Sequence, residues 1–322
     1  MTLWTTMILG RLAQTTLVAL TLVTVCFVFV HALPGDTALR IAEARGGAEF
    51  LNLGKAQQIA EEEGLNRPIL VQYGEWVGRI ATGDLGVSLV TGQSVASELW
   101  QRGKNTLILG IAGWLASYLV ALPIGIYAAL RPHGWVDRAS SFYCVTMASL
   151  PSFLMGIGLI SIFALSLRWL PPAGFRSWSH LILPAATLAL GLSAFSIRLI
   201  RDTVREVNGN FFITFARTKG LTATAALRQN GSRNAAIPIV AFAALQFAAV
   251  VDGFIMIETL FNYPGLGELL VSSMLARDVP MVMGAGLVAA IGYGLVNLAA
   301  DLVSILLDPR LSHRDQTRAA LR

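Results

Sequence analysis

Charge is what this chain has least of. Only 13% of its 322 residues are Asp, Glu, Lys or Arg, while 55% are hydrophobic. A soluble domain carries nearer a quarter charged residues. A water-facing surface around the whole chain is therefore excluded, and lipid must cover much of it. Cysteine is scarce as well. Cys26 and Cys144 are the only two, both inside apolar runs. Neither has a metal-ligand spacing, so inert apolar thiols are expected and no disulfide framework. The four histidines, His31, His133, His180 and His313, are scattered, and no H-E-x-x-H occurs. No G-x-x-x-x-G-K-[ST] is present, so the chain does not bind ATP through a P-loop of its own. No repeat period emerges and no catalytic set. Enzyme chemistry, a cofactor and a metal site are not expected.

Long apolar runs are what the chain does have. Crossing ~30 Å of hydrocarbon takes roughly 20 apolar residues as a helix. Residues 12–33, 106–130, 140–167 and 181–197 carry no Asp, Glu, Lys or Arg. Residues 235–260 carry only Asp252 and Glu258, and residues 280–307 only Asp301. Barrel strands alternate over ~10 residues, so runs of this length mean helices. The expected fold class is an all-α integral membrane protein of about six transmembrane helices. The first run exceeds a signal-peptide core. Only Arg11 precedes it, and no small-x-small site follows, so a retained helix is expected.

Charge also orients the spans. One set of polar segments holds fourteen cations: Arg11; Arg131 and Arg138; seven between Arg198 and Arg233; and Arg310, Arg314, Arg318 and Arg322. The opposite set holds ten, seven of them in one long loop, where the positive-inside rule is weak. Both termini are therefore expected to be cytoplasmic. The basic balance belongs to that inner face and does not call for nucleic acid.

Three divisions follow: 1–33, the N-terminus and first span; 34–104, an extracytoplasmic loop; and 105–322, the core. The loop is too long for a bare connector. Lys55 to Glu63 reads as a short charged helix stopped by Gly64, and Ile69 to Ile80 as an amphipathic one. Together they are expected to form a small lid on the outer membrane surface. Inside, 198–235 mixes arginines with Val204, Val207, Phe211, Phe212, Ile213, Phe215 and Leu221, punctuated by Gly220 and Gly231. Short helices with one adhesive face are expected, since exposed aromatics call for a partner. The alternative is an ordinary basic loop on anionic lipid.

The motifs in these loops resemble the dipeptide/oligopeptide/nickel permease family of bacterial ABC importers over nearly the whole chain. Residues Asn210 to Leu221 are similar to that family's EAA loop, close to F-I-R-T-A-R-A-K-G-L. Ile213, Ala216, Arg217, Lys219, Gly220 and Leu221 match, whereas Thr214, Phe215 and Thr218 depart. Arg233-Asn234-Ala235-Ala236-Ile237-Pro238 resembles the closing L-R-N-A-L-x-P, with Asn230-Gly231-Ser232 replacing H-A-L. Pro34-Gly35-Asp36, Gly64-Leu65-Asn66-Arg67-Pro68, Gly83-Asp84-Leu85-Gly86, Ser88, Pro264-Gly265-Leu266-Gly267 and Asp308-Pro309-Arg310 also match in order. The resemblance implies a type I ABC importer permease fold. It also implies a second homologous permease as a heterodimer partner, two ATP-binding subunits that carry ATP-Mg, and an extracytoplasmic solute-binding protein. The permease would be multi-pass in the cell inner membrane. It further implies that Phe211, Phe212, Phe215, Ala216, Arg217, Lys219 and Gly220 form the ATPase-coupling helix.

Three intramembrane acids are pathway or gate candidates by default. Glu258 matches the family and reads as an outer-gate or folding contact. Asp252 stands where relatives have a small residue. It either faces the pathway or is buried between helices. Asp301 reads as a structural hydrogen-bonding group. Di- and oligopeptides are the expected cargo. Arg168-Trp169-Leu170-Pro171 and the stretch Trp178 to Pro184 resemble nickel permeases, so nickel or a metallophore stands as the alternative. A six-span channel or secondary transporter would leave the EAA-loop resemblance unexplained.

Overall fold

The computed structural model describes residues 3–32, 35–46 and 53–307. Pro34, the stretch 47–52, the Asp308-Pro309-Arg310 motif and the arginines of the tail lie outside the described residues. So do the side chains of residues 249–254, Asp252 among them.

Most described residues are helical, and the only bridge among them is an isolated pair, Val87 with Ser94. Thirteen α-helices follow in order among the described residues: α1 Leu3–Ala32, α2 Thr37–Gly46, α3 Leu53–Glu62, α4 Ile69–Ala81, α5 Val95–Leu130, α6 Trp135–Ser149, α7 Ser152–Leu159, α8 Ser179–Asn208, α9 Phe211–Thr218, α10 Ala223–Ala226, α11 Ser232–Leu260, α12 Leu266–Ala276 and α13 Val279–Leu307. Two π-helical turns, Ile160–Ser166 and Leu227–Gly231, are inserted after α7 and α10. Among the described residues, α1, α5, α8 and α13 are each long and apolar enough to cross a membrane. α11 covers the fifth expected run. α5 runs unbroken through the expected boundary at 104/105.

The third expected span is not a straight helix. α6 and the segment Ser152–Ser166 meet at an angle of 106°. Pro151 is the cause. It lacks an N–H and crowds the preceding residue out of the α region, and Leu150 is extended at φ −91°, ψ 128°. Pro151 then starts the next helix, its carbonyl accepting from Leu154 N at 3.0 Å. Pro123 and Pro184 stay inside α5 and α8 without breaking them.

The chain divides into two compact units. Unit 1 comprises residues 1–107 and 262–294, and unit 2 comprises 108–261 and 295–322. In unit 1, α4 packs Trp76 into a cluster of Val23, Phe27 and Val30 from α1 and Val282 and Met283 from α13. Tyr73 Oη lies 2.7 Å from Thr24 Oγ1. α2 and α3 close over Ile41, Ala56, Ile59 and Leu89. Gly64 stops this helical stretch at φ +65°, a conformation glycine adopts without a Cβ penalty. The Pro264-Gly265-Leu266-Gly267 motif is fixed to the start of α5. Asn105 Nδ2 donates to Pro264 O at 2.8 Å, and Leu266 N donates to Thr106 Oγ1 at 2.8 Å.

In unit 2, α8 is the central post, with α6, α7 and α11 packed on it. Small residues allow close approach. A Cβ at Gly113 would lie 2.7 Å from Leu188 Cβ, and one at Gly125 2.8 Å from Ile200 Cγ2.

Candidate functional site

The distinctive surface of unit 2 is built at the C-terminal end of α8. Gly209 ends that helix, donating to Arg205 O and Glu206 O at 3.0 and 3.2 Å. Asn210 is extended, and its carbonyl accepts from Ile213 N and Thr214 N at 3.1 Å, which opens α9. The eight residues of α9 have two kinds of apolar side chain. Ile213 and Ala216, 0% and 6% exposed, turn inward among Val207, Ala226 and Leu227. Phe211, Phe215 and Phe212 turn outward, at 82%, 51% and 36% exposed. Spacings of three and four place each set on one face of the helix.

The outward set is ordered. Phe211 and Phe215 stack with centroids 6.3 Å apart and planes 15° from parallel. Lys219 Nζ lies 4.5 Å from the Phe215 centroid. The three form a column one helical turn apart, ending in a cation. Gly220, at φ +91°, stops α9, with its N–H on Arg217 O at 3.0 Å. Arg217 is exposed as well. Of the residues expected to form this surface, Ala216 alone is inside, where it fastens the helix.

The segment that returns to the bundle is closely packed. Thr222 Oγ1 accepts from Ala225 N at 3.3 Å and so caps α10. A Cβ at Gly231 would fall 2.9 to 3.0 Å from Leu227 Cδ1, Ile213 Cδ1 and Val207 Cγ1. That crowding gives Asn230-Gly231-Ser232 its physical sense: the π turn brings its backbone against the inner face of α9.

The acid candidates lie elsewhere. Glu258 is completely buried near the far end of α11. At 1.5 Å per residue, it is about 39 Å along that helix from Ser232. Asp301 is half-buried on α13, and the side chain of Asp252 is outside the described residues.

Sequence reading missed Asp137. It is 7% exposed and receives Arg205 Nη2 at 2.5 Å, Arg201 Nη1 at 3.5 Å and the His133 N–H at 2.9 Å. No local pattern announces a pair 64 residues apart.

Among the described residues, four helices long and apolar enough to cross a membrane define a class: multi-pass α-helical membrane proteins. The family model described as "Binding-protein-dependent transport system inner membrane component" matches residues 121–313. The chain is 35% identical over 288 residues to the glutathione transport system permease protein GsiC of Salmonella choleraesuis (strain SC-B67) and of Escherichia coli (strain K12). Each match covers 89% of this chain and 92% of the relative. A chain of the MetNI methionine ABC transporter, in an inward-facing crystal form, superimposes with a TM-score of 0.56 at 18% identity, covering 65% of this chain and 96% of that one. A second crystal form gives 0.50. The chain belongs to the family of inner-membrane components of binding-protein-dependent transport systems. It is a multi-pass permease subunit of an ABC importer and not an enzyme.

Proposed function

We propose that this permease passes small peptides delivered by an extracytoplasmic binding protein, and that α9 docks its ATPase. The observation that carries the docking is the Phe211–Phe215–Lys219 column. It is exposed on a helix whose opposite face, Ile213 and Ala216, is locked into unit 2. An exposed aromatic pair on a rigid support is the form an interface anchor takes. A partner groove with an apolar floor and an acidic rim fits it, with Arg217 and Lys219 facing the acids. In this reading the termini and α9 face the cytoplasm, ATP-Mg is held by two partner ATPases, and a second homologous permease completes the pathway. Asp252, Glu258 and Asp301 are the gate candidates.

The relatives are named for glutathione, a tripeptide, which supports small peptides as cargo. Uptake of labelled glutathione, a dipeptide and nickel, each measured in cells lacking and regaining this chain, tests the substrate. Restored peptide or glutathione uptake is expected, and restoration of nickel uptake alone overturns the peptide reading. Phe211→Ser with Phe215→Ser tests the docking. The variant is expected to insert normally and to lose the ATPase on purification. Full ATPase recovery with unchanged uptake would sink the idea.

A further inference from the structure

Asp137 gathers four places in unit 2 around one carboxylate. Besides its two arginines and the His133 N–H, Arg201 Nη1 donates to Ser141 Oγ at 2.6 Å. Arg205 Nη2 reaches Ala128 O at 3.5 Å. The last turn of α5, the turn 131–134, the start of α6 and the end of α8 are thus tied together. His133 is held in the left-handed region at φ 63° to present its N–H. On the other side, α9 is anchored to the same turn of α8. Gly209 N–H bonds Arg205 O, and Asn210 Nδ2 bonds Glu206 O at 3.2 Å. Phe211 follows Arg205 by only six positions.

Deeper in the α6–α8 contact the named partners are uncharged. Cys144 and Ile197 pack there as apolar side chains, and Tyr143 Oη bonds Leu190 O and Ser193 Oγ deeper in the bundle. Apolar packing is non-directional and permits small sliding of packed helices. A buried carboxylate shared by two arginines is directional and resists it. A buried ion pair adds little net stability compared with apolar filling, so its worth here is geometric. Motion reaching α8 from α9 meets this pair first.

We propose that Asp137, Arg201 and Arg205 are positioning residues forming the joint that passes displacement of α9 to α6 and the end of α5. The inference rests on α9 being the ATPase-docking helix. Without the joint, α8 moves and α6 lags, so ATP is hydrolysed with little cargo moved.

The test uses the full importer, purified through this chain and reconstituted with its binding protein. Substrate moved and ATP hydrolysed are measured together. Asp137→Asn is expected to retain its ATPase and most hydrolysis while losing roughly tenfold in substrate moved per ATP, a size typical of coupling between sites. Asp137→Glu is expected to recover part of that ratio. Should Asp137→Asn fail to accumulate, Arg201→Lys keeps the charge and loses the fork to Ser141, and a smaller drop in the same ratio is expected. A wild-type ratio in either variant overturns the joint. So does a loss of uptake that only tracks loss of assembled complex. ATPase still bound after Phe211→Ser/Phe215→Ser, by contrast, overturns the docking reading and leaves the measured ratio of Asp137→Asn to stand by itself.

Discussion

The two units bury charge for different ends. In unit 1, the turn between α12 and α13 hides Arg277 and Asp278, 4% and 3% exposed. Arg277, left-handed at φ 55°, donates to Gly35 O at 2.7 Å and Thr37 Oγ1 at 3.2 Å. Asp278 accepts from the Ser88 hydroxyl and from Leu89 N, and so holds the loop before α5. These partners are neutral groups of loops and helix starts. In unit 2, Asp137 meets two guanidinium groups on one long helix, α8, whose end leads into α9. A charge paired with loop backbone fixes shape. A charge paired between long helices fixes their mutual register. The Arg277–Asp278 turn is thus a fastening in unit 1, and the proposed joint at Asp137 is where force would pass in unit 2.

Breaking the frame should give the largest loss of stability. Asp278→Ala strips acceptors from Ser88 Oγ and Leu89 N, at about 1–3 kcal/mol for each buried donor left unpaired. A lower unfolding temperature in detergent and faster proteolysis of the loop before α5 are expected, with ATPase recovery unchanged. Loss of ATPase binding at normal stability would contradict the contrast between the units. Gly231→Val comes next. Its side chain meets three methyl groups at once, and overpacking of this kind costs about 1–3 kcal/mol. Displacement of α9 from its seat should lower ATPase recovery more than the unfolding temperature of unit 1. Lys219→Ala is the mildest. An exposed cation–π contact is worth about 0.5–1 kcal/mol. A two- to fivefold weaker grip on the ATPase is expected from that energy, read by titration of the purified subunits. An unchanged affinity would show that the column ends at Phe215.

Much of this architecture was legible because it is local. Among the described residues, all the long apolar runs but 140–167 lie within single helices. The charged stretch before Gly64 became α3, and the pattern Ile69 to Ile80 became α4, Ile69–Ala81. The adhesive face of 198–235 became α9, though which phenylalanines stack required the fold. α2 was missed although its signal was present: Asp36 Oδ1 accepts from Ala38 N at 2.8 Å, an acid capping the helix that follows. The bend at Pro151 was readable as a kink but not as a right angle. Asp137, Arg277 and Asp278 were not legible as sites. Their side-chain and loop partners lie 64 to 242 positions away, and a charge in a loop looks the same whether it faces water or an arginine.

The elbow at Leu150 and Pro151 also says what cannot lie against it. Both residues are exposed on the isolated chain, and the carbonyls just before a proline have no helical N–H ahead of them. Hydrocarbon offers nothing to replace those donors, so irregular backbone at membrane depth survives only against protein or water. This corner must therefore be wetted or covered by another chain. It marks the rim of the non-lipid side of the permease, drawn by a single imino acid.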